Sequence, residues 1–129
     1  MSVPTITVDL ITDYNLIKMT WGAHIDEQDI ILAFRAITSI LKKSGSAVNV
    51  LVDITSNPQF SMQTLFSEAL SGPFKYPQLG MWAVVGTSRA AHIVSNVLNR
   101  LSSDQKVIRF STQAEALDYL SAQSSRGIG

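Results

Sequence analysis

The run VNVLVDI, residues 48–54, constrains the fold more than any other stretch of this chain. It is β-branched, almost continuously apolar, and closes on an aspartate and an isoleucine. A strand with one wet face alternates polar and apolar residues. A strand apolar at consecutive positions must be covered on both faces. The chain therefore has to place helices above and below a sheet that holds 48–54 near its centre. MWAVVG, 81–86, is a second run of this kind.

The flanking segments fit that frame. TITVDLI, 5–11, and LIKMTW, 16–21, alternate, with TDYN between them; this pattern predicts an antiparallel hairpin. Asp26, with Asp29 three residues on, predicts the start of a helix. Ile30, Phe34, Ile37 and Leu41 recur along it at helical spacing. Lys42, Lys43 and Gly45 suit its end. Met62, Leu65, Phe66, Ala69 and Leu70 form the apolar stripe of a second helix, which Gly72-Pro73 stops, and 73–80 reads as a loop.

Ser88 predicts the cap of a third helix whose apolar positions are Ala90, Ala91, Val94, Val97, Leu98 and Leu101. KVIRF, 106–110, alternates as a last strand. Thr112 and Glu115 make a capping box for a last helix that carries Ala116, Leu117 and Leu120. The order β-β-α-β-α-β-α-β-α predicts an α/β fold. Its sheet is mixed and mainly parallel, with a leading antiparallel hairpin and about four helices. The 129 residues suit a single domain, expected over 1–122, with 123–129 expected as a disordered tail.

Composition narrows the function. Lys plus Arg and Asp plus Glu number 10 each, without the basic excess of a nucleic-acid binder. The chain has no cysteine, which removes disulfides, thiolate metal sites and cysteine nucleophiles. No apolar run nears the roughly 20 residues that cross a bilayer. MSVPTITVDL lacks the basic and apolar regions of a signal peptide. A soluble cytoplasmic protein without membrane insertion is expected.

Motifs that carry chemistry are sparse. The 2 histidines, His24 and His92, stand in no ligand pattern, and no metal or cofactor is expected. The strand-to-helix turn Gly86-Thr87-Ser88 is a candidate anion-binding helix start, although a lone glycine there more often serves the backbone. No phosphate-loop fingerprint and no serine-hydrolase elbow accompany it.

The polar turn after 48–54 is the other candidate, because open α/β sheets bind ligands at the carboxyl ends of their strands. Asp53, Thr55, Asn57 and Phe60 are its recognition edge. A turn-bonding role is expected for Asp53.

This order of elements resembles the STAS fold of bacterial anti-sigma-factor antagonists, and within it the SpoIIAA-like domains of unknown role. The residues that carry the likeness are Leu51-Val52-Asp53, Ala83-Val84-Val85-Gly86, Arg109-Phe110 and Ala114–Leu120. The resemblance implies a phosphorylated serine at the start of the helix after the central strand. By position that is Ser61, with Ser56 as second choice. The family motif sets an Asp before this serine and a Gly soon after it, whereas Phe60 and Met62 flank Ser61 here. A helix cap is the simpler role for Ser61.

The expected function is a non-enzymatic regulatory or protein-binding module. Its partner would be a protein, such as a kinase or anti-sigma-like regulator. A homodimer through the edge of the leading hairpin is also expected. The alternative is a carrier or sensor of a small apolar, lipid-like ligand, with Phe60, Phe66, Phe74, Tyr76 and Trp82 as candidate walls.

Overall fold

The computed structural model describes residues 6–11, 15–56, 58–102 and 107–128, with side chains through 122. Its elements are β1 (Ile6–Ile11), β2 (Leu16–Trp21), α1 (Glu27–Lys43), β3 (Val48–Asp53), α2 (Met62–Ser71), β4 (Leu79–Val85), α3 (Arg89–Leu101), β5 (Val107–Phe110) and α4 (Gln113–Ile128). One five-stranded sheet runs in the order β1-β2-β3-β4-β5. β1 pairs antiparallel with β2, and β2, β3, β4 and β5 are parallel. The mixed α/β architecture with a leading hairpin is the one expected from the sequence.

β3 sits mid-sheet because both of its faces are apolar. Val50 and Val52 join the core under α1, α2 and α3, together with Phe34, Ile37, Leu65 and Val94. Leu51 joins a smaller core under α4, with Leu16, Ala83, Val85, Ala116 and Leu120. All three β3 residues are 0% exposed, which is what the unbroken apolar run requires.

Local signals set the helix ends. Asp26 Oδ1 accepts from the Asp29 N–H and Asp29 Oδ2 accepts from the Asp26 N–H, both at 2.9 Å, so aspartate closes the capping box in place of glutamate. Thr112 Oγ1 accepts from the Glu115 N–H at 3.2 Å at the head of α4. α4 runs on to Ile128.

The segment 73–80 is more ordered than the loop expected there. Pro73–Lys75 form a 3-10 turn with proline in its first turn, where its missing N–H costs nothing. β4 already begins at Leu79, opposite Val48. The β3–β4 register slips between Val48 and Val50. Asn49 fills the slip, its Oδ1 accepting from the Met81 N–H at 2.8 Å. A Cβ on Gly80 would collide with that oxygen.

Candidate functional site

The carboxyl ends of β3 and β4 converge on two turns. The first follows Asp53, whose Oδ1 accepts from the Thr55 N–H at 3.1 Å. The carboxylate thus closes the turn behind it, as expected. Thr55 is exposed. Asn57 lies outside the described residues. Ser56 Oγ donates to the Trp21 carbonyl at 3.0 Å, and Phe60 meets the Trp21 ring edge-on, with centroids 5.3 Å apart. Both residues therefore tie the turn to the end of β2. Ser61 caps α2, its Oγ accepting from the Thr64 N–H at 3.2 Å.

The second turn holds Gly86, Thr87 and Ser88. Gly86 has φ 139° and is wedged so that a Cβ would strike the Ile54 carbonyl. Its N–H donates to the Phe110 carbonyl at 2.9 Å, and its carbonyl accepts from Arg109 Nη1 at 3.1 Å. Ser88 Oγ donates to the Ile54 carbonyl at 3.2 Å and accepts from the Ala91 N–H at 3.2 Å. Thr87 is exposed. The glycine serves the backbone, and the serine hydroxyl is engaged both as donor and as acceptor.

α2 links the first turn to the rest of the surface. Its inner side buries Leu65 and Ala69. Its exposed positions are Met62, Gln63, Phe66, Ser67, Leu70 and Ser71, and none is charged. Met62, Phe66 and Leu70 are 55%, 43% and 50% exposed and follow one another at i, i+4 and i+8, in line along the helix.

The other helices differ at their exposed positions, which include Glu27, Arg35 and Lys42 on α1, Arg89 and Arg100 on α3, and Glu115 and Asp118 on α4. At the Met62 end an open cleft of about 500 Å³ separates the β3–α2 turn from α3. Pro58, Phe60, Met62 and Ile93 supply apolar walls, and Arg89 is also in its lining.

Sequence patterning placed Met62, Phe66 and Leu70 in one stripe with Leu65 and Ala69. The structure divides that set between core and solvent. No local signal separates them: five apolar positions in a helix of 10 residues are about what a single buried face carries, and only the placement of the sheet divides the set. The candidate pocket aromatics also separate. Trp82 packs between Phe34 and Phe74, with centroids at 6.0 and 5.4 Å, while Phe66 is exposed. His24 and His92 are both exposed. Among the described residues no group of three or more His, Cys, Asp or Glu side chains is placed to hold a metal, and no helix is long and apolar enough to cross a membrane.

No family model matches the chain, and no curated protein matches it. A solved structure does. It is a protein of the DUF3478 family from Shewanella loihica PV-4, described as having a SpoIIAA-like fold. The two are 18% identical, and the match covers 93% of this chain and 98% of that one at a TM-score of 0.66. With the strand order and helix placement above, the match shows that this chain has the SpoIIAA-like α/β fold.

Proposed function

We propose that the chain is a non-enzymatic, protein-binding module of the bacterial cytoplasm, and that α2 is its docking face. One observation carries this reading: the exposed side of α2 holds Met62, Phe66 and Leu70 and no charge. Helices that face only water carry charged residues outward. An uncharged apolar strip on a surface marks an interaction site. Regulation would act through Ser61. It caps the same helix one residue before Met62, so phosphate there would set about −1.5 to −2 charges beside the face.

The hydrogen bonds around the turns agree with binding rather than catalysis. Asp53, Ser56, Ser61 and Ser88 bond to backbone groups, and none is paired with a base that could activate it. The apolar-ligand reading has less support, because Trp82 is buried in the core with Phe74 packed against it and Phe66 faces solvent.

A photo-crosslinking residue at position 66 tests the proposal, with position 32 on α1 as control, since Leu32 is even more exposed, at 56% against 43% for Phe66. Expression in cells should give a defined crosslinked protein from position 66 and none from position 32. The same products from both positions, or none from position 66, would overturn it.

A further inference from the structure

A groove between α1 and α2 carries three charges and a shaped floor. We propose that it binds a free acidic α-amino acid, with the two carboxylates of the ligand on Arg35 and Lys42 and its ammonium on Glu68. The groove lies on the α1 side of α2, and the Met62 cleft lies on the α3 side. The site is therefore separate from the docking face and does not rest on it.

The groove holds about 330 Å³, at the lower end of the range for small-molecule sites. Its floor is Phe34, which is 1% exposed and stacks on Trp82. Gly72 lies against Thr38, where a Cβ would stand 2.8 Å from Thr38 Oγ1. That close approach sets the spacing of the two helices, so the walls are in place before a ligand arrives.

Arg35 and Lys42 line the α1 wall, and Glu68 lines the α2 wall. The two cations stand about 10 Å apart along one side of α1, within reach of a single small molecule for side chains of their length. Among the described residues none forms an ion pair with Arg35, Lys42 or Glu68. Opposite charges thus face one groove without neutralising each other.

The hydroxyls divide the groove further. Thr38 Oγ1 donates to the Phe34 carbonyl and Ser71 Oγ donates to the Ser67 carbonyl, both at 2.8 Å. Each uses its one proton within its own helix and keeps lone pairs for an incoming donor. With the Glu68 carboxylate they make a set that accepts, whereas Arg35 and Lys42 only donate. A ligand must bring donors to the first set and acceptors to the second. An amino acid does so, since an ammonium only donates and a carboxylate only accepts.

Charge selects among amino acids. Two cations and one carboxylate give the groove a net charge of +1. An acidic amino acid carries two carboxylates and one ammonium, and meets each charge with its opposite. A neutral amino acid leaves one cation unmatched, and a dicarboxylate without an amino group leaves Glu68 unmatched. The walls are open to water, so the affinity falls as salt rises.

Nuclear magnetic resonance titration of the purified chain with L-glutamate at low salt is the test. The amides of Thr38, Ser39, Ser71 and Gly72 should shift and saturate, and those of Met62 and Phe66 should not move. Glutarate, which lacks the ammonium, and L-glutamine, which lacks the second carboxylate, should bind at least fivefold more weakly. Glu68→Gln should abolish the preference for glutamate over glutarate. Lys42→Gln should abolish the preference for glutamate over glutamine. Lys43→Gln removes an exposed cation of α1 outside the groove and should change the affinity less than twofold. Shifts that do not saturate would overturn the proposal, as would equal binding of glutarate and glutamate by the parent chain. A loss in Lys43→Gln as large as in Lys42→Gln, or the same shifts with sulfate, would reduce the effect to a general attraction for anions and overturn it too.

Discussion

Phe60 stands edge-on to Trp21, with ring centroids 5.3 Å apart and planes at 88°. Trp21 ends β2 and is 2% exposed, while Phe60 closes the turn that leads from β3 into α2. Ser56 adds a second link by donating to the Trp21 carbonyl. The indole therefore fixes where α2 begins, and with it the direction of the Met62–Leu70 strip.

Removal of that contact should loosen the turn before it loosens the domain. Phe60→Ala is expected to lose about 2 kcal/mol, roughly half of what a fully buried phenylalanine loses. Urea unfolding should show a lower midpoint with an unchanged slope, and the near-ultraviolet signal of Trp21 should fall. A midpoint equal to that of the parent would mean that the ring pair does not hold the turn.

Ser61 separates a cap from a switch. Ser61→Ala removes the acceptor for the Thr64 N–H and should cost about 1 kcal/mol. Ser61→Asp keeps an acceptor and adds a charge that the helix dipole favours at this end, so its melting temperature should match the parent. Calorimetry of the two variants decides. Equal losses in both would leave the capping account without support.

Gly86 should tolerate no side chain. Its φ of 139° and its contact with the Ile54 carbonyl combine backbone strain with collision. Gly86→Ala is expected to lose at least about 3 kcal/mol, the upper end for a strained residue. Soluble protein that melts within a few degrees of the parent would contradict that geometry.

Asn49 gives a test with its own rescue. Asn49→Ala leaves the Met81 N–H without its acceptor and should cost about 1–3 kcal/mol. Asn49→Asp keeps the oxygen and should recover part of that loss. Hydrogen exchange at Met81 reads the bond itself: fast in the alanine variant, slow in the parent.

Much of this was legible from local chemistry. Val50, Leu51 and Val52 announce a strand covered on both sides, and Asp26 with Asp29 announces a capped helix. Asp53 at a strand end announces a turn bond. Each of these depends on neighbours in sequence.

The rest depends on distant partners. Trp21 meets Phe60 and Ser56 only after β2 and β3 align, and Asn49 reaches Met81 only through a register slip that no single segment encodes. The outward turn of Phe66 was hidden for a related reason. Five apolar residues at helical spacing look like core until the position of the sheet selects Leu65 and Ala69.

That selection yields a clear stability contrast between adjacent residues of one helix. Leu65 is 0% exposed and Phe66 is 43% exposed. Leu65→Ala opens a cavity under α2 and should cost about 2–5 kcal/mol. Phe66→Ala removes the larger side chain but leaves no cavity, and should stay within about 0.5 kcal/mol of the parent, as surface substitutions do. Urea unfolding measures both. If Phe66→Ala proved as costly as Leu65→Ala, the ring would belong to the core of the monomer. The α2 face would then have no apolar centre to offer a partner.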